Sequence, residues 1–95
     1  MRLGYSKRAV RHIADIFDHI QNDNPEAATM VVARIRATAQ ALSLFPQMGH
    51  VGHLSGTLEH KVKRLPYVIV YRVEIGDTDQ VVILGVYHAH QQRVI

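Results

Sequence analysis

The stretch GTLEHKVKRLPYVIVYRV, residues 56–73, decides the fold. From 57 to 65 apolar and polar side chains alternate, and this period of two predicts a β-strand with one buried face. YVIVYRVE at 67–74 is apolar on both faces, which is typical of a central strand. Pro66 stands between the two segments and cannot donate a hydrogen bond to a sheet, so it predicts a tight connection.

A third strand is predicted further along the chain. The turn sequence IGDTD at 75–79 is followed by QVVILGVYH at 80–88, a run rich in β-branched residues. Together with the two strands before it, this run predicts an antiparallel meander. The remaining AHQQRVI at 89–95 has no period, and no element is predicted there.

Two helices are predicted on the amino-terminal side of the meander. Ser6 can cap the first, whose apolar residues recur at helical spacing until QNDN at 21–24. The second begins at Asn24 and Pro25, since asparagine is a good N-cap and proline fits the first helical position. Only a few residues join the two helices, so they are expected to pack antiparallel.

These elements predict an α+β fold. An N-terminal strand at 2–5 is followed by an antiparallel helical hairpin packed on a small antiparallel β-sheet. The length is enough for one domain, which is expected to span 1–95. The three glycines that precede the meander, at 49, 52 and 56, are expected to serve turns.

Basic residues mark the face of the sheet that the helices are expected to leave open. Lys61 and Lys63 share one side of the predicted strand 57–65, whereas Arg64 alternates to the other side. Arg72 lies on the open side of the central strand. These four residues are candidates for binding phosphates or an acidic partner. The alternative is a solvated edge strand, where lysines discourage pairing with another chain.

The composition excludes several kinds of site. The chain has no cysteine, so disulfides, thiolate metal sites and thiol nucleophiles are excluded. The longest apolar run, VVILGVY at 81–87, is too short to cross a bilayer as a helix, and residues 1–10 lack the apolar core of a signal peptide. A cytoplasmic protein with no membrane partner is therefore expected. The net charge of +3 suits weak attraction to an acidic partner.

Seven histidines raise the question of metal binding and acid–base catalysis. His50 and His53 form one close pair in the sequence, and His88 and His90 form another. Zinc needs three or four ligands, and no carboxylate pattern completes either pair, so no metal site and no cofactor are predicted. His88 is the candidate general acid or base if the protein is a nuclease.

The order and spacing of these features resemble the RelE/ParE superfamily, the toxins of bacterial type II toxin–antitoxin modules. The resemblance lies in the hairpin broken at NP, the loop P-x-x-G-x-x-G…GT-x-E at 46–59, PYVIVYRV at 66–73 and the last strand ending in VYH. It is closer to the ParE-like branch, often described as plasmid stabilisation proteins. Leu58 and Gln91 stand where that branch usually carries arginine.

The resemblance implies a growth-inhibiting toxin whose partner is a cognate antitoxin, and it leaves three functions open. ParE-like members inhibit DNA gyrase by binding, RelE-like members cut mRNA on the ribosome, and a third possibility is a non-toxic remnant that only binds antitoxin. For a nuclease, Lys61 and Lys63 would hold the phosphate and His88 would transfer a proton. Val68 and Ala89 stand where RelE-like members carry arginines. Gyrase inhibition without catalysis is therefore the favoured interpretation.

Overall fold

The computed structural model describes residues 1–94, and position 95, the last of the predicted domain, lies outside the described residues. Two helices and five strands follow each other in the order β1 (Arg2–Tyr5), α1 (Lys7–Gln21), α2 (Pro25–Leu44), β2 (His50–Val51), β3 (Leu58–Lys61), β4 (Tyr67–Glu74) and β5 (Gln80–His88). A single 3-10 turn, Pro46–Met48, lies between α2 and β2.

Both helices begin at the predicted caps. The Ser6 hydroxyl accepts a hydrogen bond from the backbone N–H of Ala9, at 3.1 Å. Asn24 does the same for Ala27, also at 3.1 Å, and Pro25 occupies the first position of α2. Each cap satisfies a donor that the helix itself leaves free, which fixes where the helix starts.

The strands form one sheet in the order β1-β5-β4-β3-β2. The antiparallel meander of β3, β4 and β5 confirms the prediction. The sheet as a whole is mixed rather than antiparallel, because β1 pairs parallel with β5, from Arg2 opposite Gln80 to Tyr5 opposite Ile83. The direction of β1 depends on the path of the helical hairpin that follows it. Residues 2–5 alone contain no pattern that indicates this direction. The two-residue strand β2 was not predicted either.

Strand β3 ends at Lys61, four residues earlier than predicted. The backbone N–H of Leu65 donates to the carbonyl of Val62 at 3.1 Å, and this bond closes a four-residue turn. Lys63 and Arg64 are the two central residues of that turn. Their predicted places on opposite faces of a longer strand were therefore wrong.

The main core lies between the helices and one face of the sheet. Its fully buried members come from α1, α2, β4, β5 and the turn after β3, and the larger ones are Ile35, Leu42, Val62, Ile69, Tyr71 and Ile83. A second, smaller cluster of Val70, Leu84 and Tyr87 lies on the opposite side. The sheet is therefore buried on both faces in its centre, as the apolar runs in β4 and β5 predict.

Helix α1 covers the edge of β5 that β1 leaves free. The Ser6 hydroxyl donates to the carbonyl of Leu84 at 3.1 Å, and the backbone N–H of Val86 donates to His12 Nδ1 at 3.1 Å. Burial first, and nearby Arg8 second, lower the pKa of His12, which favours the neutral ring that this bond requires. His12 thus has a structural role at the sheet edge.

A helix that crosses a bilayer needs about 20 mostly apolar residues in a row. Among the described residues, neither helix combines the length and the apolar character needed to cross a membrane.

Candidate functional site

The face of the sheet that points away from the helical hairpin is here called the second face. Cross-strand pairing places Lys61, Val68 and Tyr87 side by side on it, because residues directly opposite each other in a sheet share a face. Glu59 and Val70 form the next row. Lys61 is exposed, whereas Val68 and Tyr87 are buried. Of the predicted basic groups on the strand 57–65, Lys61 is the one that this face carries.

Arg72 also lies on the second face, but it already has a partner. Its Nε atom lies 2.5 Å from Glu74 Oε2, and both side chains are partly exposed. Arg72 is four residues from Val68 along β4, so roughly 13 Å of strand separates it from the row of Lys61. The two cations therefore do not converge on one small group.

Lys63 and Arg64 lie at a different place. Their side chains and that of Arg34, which comes from α2, line a surface depression of about 310 Å³. The four predicted basic residues are thus divided among three places. The sequence did not single out Arg34, because the pattern of α2 does not show which turn of the sheet lies next to this residue.

His88 ends β5 directly opposite Tyr67. This register places it on the face of the helices, whereas Lys61 belongs to the second face. The ring of His88 is exposed and lies 6.1 Å from the ring of Tyr67 and 6.1 Å from that of His90. The candidate proton-transfer group, His88, and the candidate phosphate-binding residue Lys61 therefore lie on opposite faces of the sheet.

A buried ionic network on the second face was also missed. Glu59 is 2% exposed, and its Oε1 atom lies 3.1 Å from Arg93 Nη2. Its Oε2 atom accepts from the backbone N–H of His53 at 3.2 Å and lies 3.1 Å from His53 Nδ1. The only sequence signal for it was an acidic residue in the middle of a strand beside the apolar β4.

Arg93 ties the C-terminal residues to the sheet. Its side chain is 10% exposed, and Nη1 donates to the carbonyls of Ala89 and Gln91, at 3.2 and 2.6 Å. The Tyr87 hydroxyl donates to the carbonyl of Val94, to which Arg8 Nη1 also donates, at 2.8 Å. Residues 89–94, for which no structure was predicted, therefore lie across the second face and bury the carboxylate of Glu59.

The network gives Glu59 a shifted pKa. Burial alone would raise it, but the hydrogen bonds from His53 and from Arg93 outweigh burial and lower the pKa. The unfolded chain therefore takes up a proton at a higher pH than the folded protein does. The stabilisation from charged Glu59 is complete above the unfolded value, about 4.3, and is lost as the pH falls through the lower folded value.

We expect this stabilisation to be visible in the pH dependence of unfolding. Between pH 7 and pH 3, the free energy of unfolding of the wild type should fall more steeply than that of Glu59→Gln, which has no titrating group at this position. Urea denaturation at a series of pH values measures both profiles. Replacement of the exposed Glu26 by Gln is the matched control and should leave the wild-type profile nearly unchanged. Parallel profiles for the wild type and Glu59→Gln would contradict the assignment.

The surface has two further depressions, one beside this network and one between the helices. A depression of about 520 Å³ is lined by His53, Leu54 and residues 89–93. A second one, of about 260 Å³ and mainly apolar, lies between the two helices and includes Val10, Phe17 and Val32. Within residues 1–94, no three histidine or acidic side chains are placed to hold a metal ion together.

Known proteins resemble this chain over nearly its whole length. The family model described as "ParE toxin of type II toxin-antitoxin system, parDE" matches residues 3–93. The protein named "Putative toxin Y4kP" of Sinorhizobium fredii (strain NBRC 101917 / NGR234) is 40% identical over 91 residues, which cover 96% of this chain and 91% of that protein.

Solved structures share the fold. A chain of the chromosomal ParDE system of P. aeruginosa has a TM-score of 0.83 at 22% identity, covering 95% of this chain and 97% of that one. A chain of the RelBE2 toxin–antitoxin complex of Mycobacterium tuberculosis has a TM-score of 0.65 at 23% identity, covering 92% and 95%. The YoeB/ParE toxin of Agrobacterium tumefaciens has a TM-score of 0.62 at 16% identity, covering 93% and 98%.

The structural matches agree with the predicted α+β architecture of a helical hairpin on a small sheet. The family match and the curated relative confirm the resemblance to the RelE/ParE superfamily and to its ParE-like branch. The chain therefore belongs to the ParE toxin family of type II toxin–antitoxin systems.

Proposed function

We propose that this toxin inhibits DNA gyrase by binding it and that a cognate antitoxin neutralises it. The observation that carries the choice against mRNA cleavage is the separation of the groups that cleavage would use. RNA cleavage at a 2′-hydroxyl needs a base, an acid and a cation around one phosphate. Lys61 lies on the second face, Lys63 lies in the turn after β3, and His88 lies on the helix side of the sheet.

Val68 supports the same choice. It stands between Lys61 and Tyr87 on the second face, where the resemblance to nucleases would require an arginine, and it is only 8% exposed. A buried isopropyl group offers neither charge nor a hydrogen bond to a phosphate. The side chain is instead buried beside Tyr87, its partner in β5.

Exposed apolar side chains on the helical hairpin support an antitoxin partner. Val10 is 54% exposed, Leu44 64% and Phe45 63%, and Val10 borders the apolar depression between the helices. A flexible segment that folds on binding can cover such dispersed apolar surface. One of the structural neighbours is itself a toxin–antitoxin complex, RelBE2. A cytoplasmic location and a part in plasmid stabilisation belong to the same proposal.

His88→Ala is expected to leave growth inhibition largely intact. Its ring is exposed and lies on the face opposite Lys61, so its loss should remove no group that acts on a phosphate. Induced expression of the wild type and of the variant, followed by primer extension on a reporter message, should show no codon-phased cuts in either. Purified gyrase should lose supercoiling activity with both proteins.

Three outcomes separate the three functions. Inhibition of supercoiling without message cleavage supports the proposal. Codon-phased cuts that disappear in His88→Ala would make the endonuclease interpretation correct. If a folded protein inhibits neither gyrase nor growth and still binds its antitoxin, the chain is a non-toxic remnant. His90→Ala is the matched control, because His90 is also exposed and lies beside His88.

A further inference from the structure

The turn between β3 and β4 carries an arginine in a conformation that arginine disfavours. Arg64 has φ of 65° and is the only non-glycine residue of the described chain with a positive φ. It is the third residue of the turn Val62–Leu65, and turns with positive φ at this position favour glycine or asparagine. A side chain with a Cβ costs free energy in this region of the backbone map.

The strained arginine belongs to a cluster of three cations. Arg34 of α2 and Lys63 and Arg64 of the turn line the depression of about 310 Å³. Within residues 1–94, none of these three side chains forms an ion pair or a hydrogen bond. The carboxylates of Glu59 and Glu74 are already paired elsewhere, with Arg93 and Arg72. The cluster thus concentrates positive charge that the described chain does not neutralise.

We propose that Arg34, Lys63 and Arg64 form a binding site for an acidic side chain of a protein partner. The strained backbone at Arg64 supports this role, because residues in disfavoured conformations are found mainly at functional positions. Arginine also offers a planar fork of donors that matches a carboxylate. This inference rests on the proposed function where it takes the antitoxin to be the partner that supplies the acidic residue.

The arrangement fits a carboxylate better than a nucleic acid backbone. Nucleic acids present a long row of phosphates, and proteins that bind them spread their cations along that row. Here the three cations line one depression, and two further arginines are engaged elsewhere. Arg36 lies over the Tyr5 ring, with 5.6 Å from its guanidinium carbon to the ring centre, and Arg72 pairs with Glu74.

Two variants separate the strain from the binding. Arg64→Gly removes both, so its melting temperature should rise by about 5 °C, and its affinity for a hexaglutamate peptide should fall about tenfold. Arg34→Gln leaves the turn intact, so its affinity should fall by several-fold without the rise in melting temperature. Arg11→Gln removes an exposed cation on α1, away from the depression, and is the matched control with near wild-type affinity.

Peptide titrations at low salt, together with thermal melts, measure these effects on the full chain. A loss of affinity equal in Arg64→Gly and Arg11→Gln would overturn the proposal, because the attraction would then depend on net charge alone. An unchanged affinity in Arg64→Gly and Arg34→Gln would overturn it as well. Hexathymidylate is the competing probe, and tighter binding of this oligonucleotide than of the peptide at the same residues would favour a nucleic acid instead.

The peptide experiment does not depend on gyrase or on the antitoxin. If no antitoxin binds the chain, the proposed function fails, and the titrations still decide whether the site binds carboxylates. If the antitoxin from a neighbouring gene binds, Arg64→Gly and Arg34→Gln should weaken its complex and Arg11→Gln should not. An antitoxin complex that tolerates all three changes would overturn the assignment of the partner.

Discussion

Arg93→Ala is expected to lower the free energy of unfolding by about 3 kcal/mol. The change leaves the carboxylate of Glu59, which is 2% exposed, without the guanidinium that compensates its burial. Removing one partner of a buried ion pair is far more costly than the net contribution of the pair, because the remaining charge stays out of water. Glu59 keeps its bonds from His53, so the loss should lie at the lower end of the usual range.

Urea denaturation at pH 7 measures the loss, and Arg72→Ala is the matched control. The ion pair of Arg72 with Glu74 joins side chains that are 46% and 36% exposed, so its removal should cost far less stability than Arg93→Ala does. The double variant Arg93→Ala with Glu59→Gln should recover part of the loss, since it removes the charge as well. Equal effects of Arg93→Ala and Arg72→Ala would show that burial of the pair is not what stabilises it.

The same variant should loosen the C-terminal residues. Arg93 holds the carbonyls of Ala89 and Gln91 as well as Glu59, so three contacts of residues 89–94 depend on one side chain. Protease cleavage in this segment should therefore become faster in Arg93→Ala than in Arg72→Ala. Because these residues contact Glu59 and Tyr87 on the second face, their position also decides how much of that face a partner can reach.

The helices and the central strands could be predicted because their signals are local. The caps Ser6 and Asn24 are each within three residues of the N–H groups they bind, and β4 is apolar on both faces from Tyr67 to Tyr71. A sequence pattern records such relations directly. The pairing of β1 with β5 could not be predicted in the same way, since it joins residues almost eighty positions apart.

The candidate site depended on relations that the sequence does not carry. The alternation from 57 to 65 predicts one continuous strand, and only the hydrogen bond from Leu65 to Val62 shows that Lys63 and Arg64 turn away from it. Glu59 and Arg93 are 34 residues apart and lie in segments with different patterns. The basic residues could therefore be selected as candidates from the sequence, but their positions in three separate places could not be predicted.

Gly49→Ala is expected to lower the free energy of unfolding by about 2 kcal/mol, for steric reasons alone. Gly49 has φ of −78° and ψ of 175°, an extended conformation that alanine adopts freely. A Cβ at this position would overlap Oη of Tyr71 and would lie 2.8 Å from the carbonyl oxygen of Glu59. Because Tyr71 is fully buried and Glu59 contributes its backbone, neither neighbour can move away cheaply.

The clash would also break a hydrogen-bonded corner. The Tyr71 hydroxyl donates to the carbonyl of Pro46 at 2.8 Å and accepts from the backbone N–H of Gly49 at 3.0 Å. Displacing the ring would leave both partly buried backbone groups without this partner, which costs free energy where water cannot replace it. The corner joins the segment after α2 to the central strand β4, so its loss should destabilise both layers.

Urea denaturation of a double-mutant cycle tests this explanation. In the Tyr71→Phe background the overlapping oxygen is absent, so Gly49→Ala should cost about 1 kcal/mol less than in the wild type. Gly76→Ala is the matched control, because a Cβ at that position meets nothing within 4 Å, and its effect should stay within about 0.5 kcal/mol. If Gly49→Ala costs the same in both backgrounds, the oxygen of Tyr71 does not set the requirement for glycine. The carbonyl of Glu59 and the ring carbon Cε1 of residue 71, each 2.8 Å from the added Cβ, would then be the contacts that exclude a side chain at position 49.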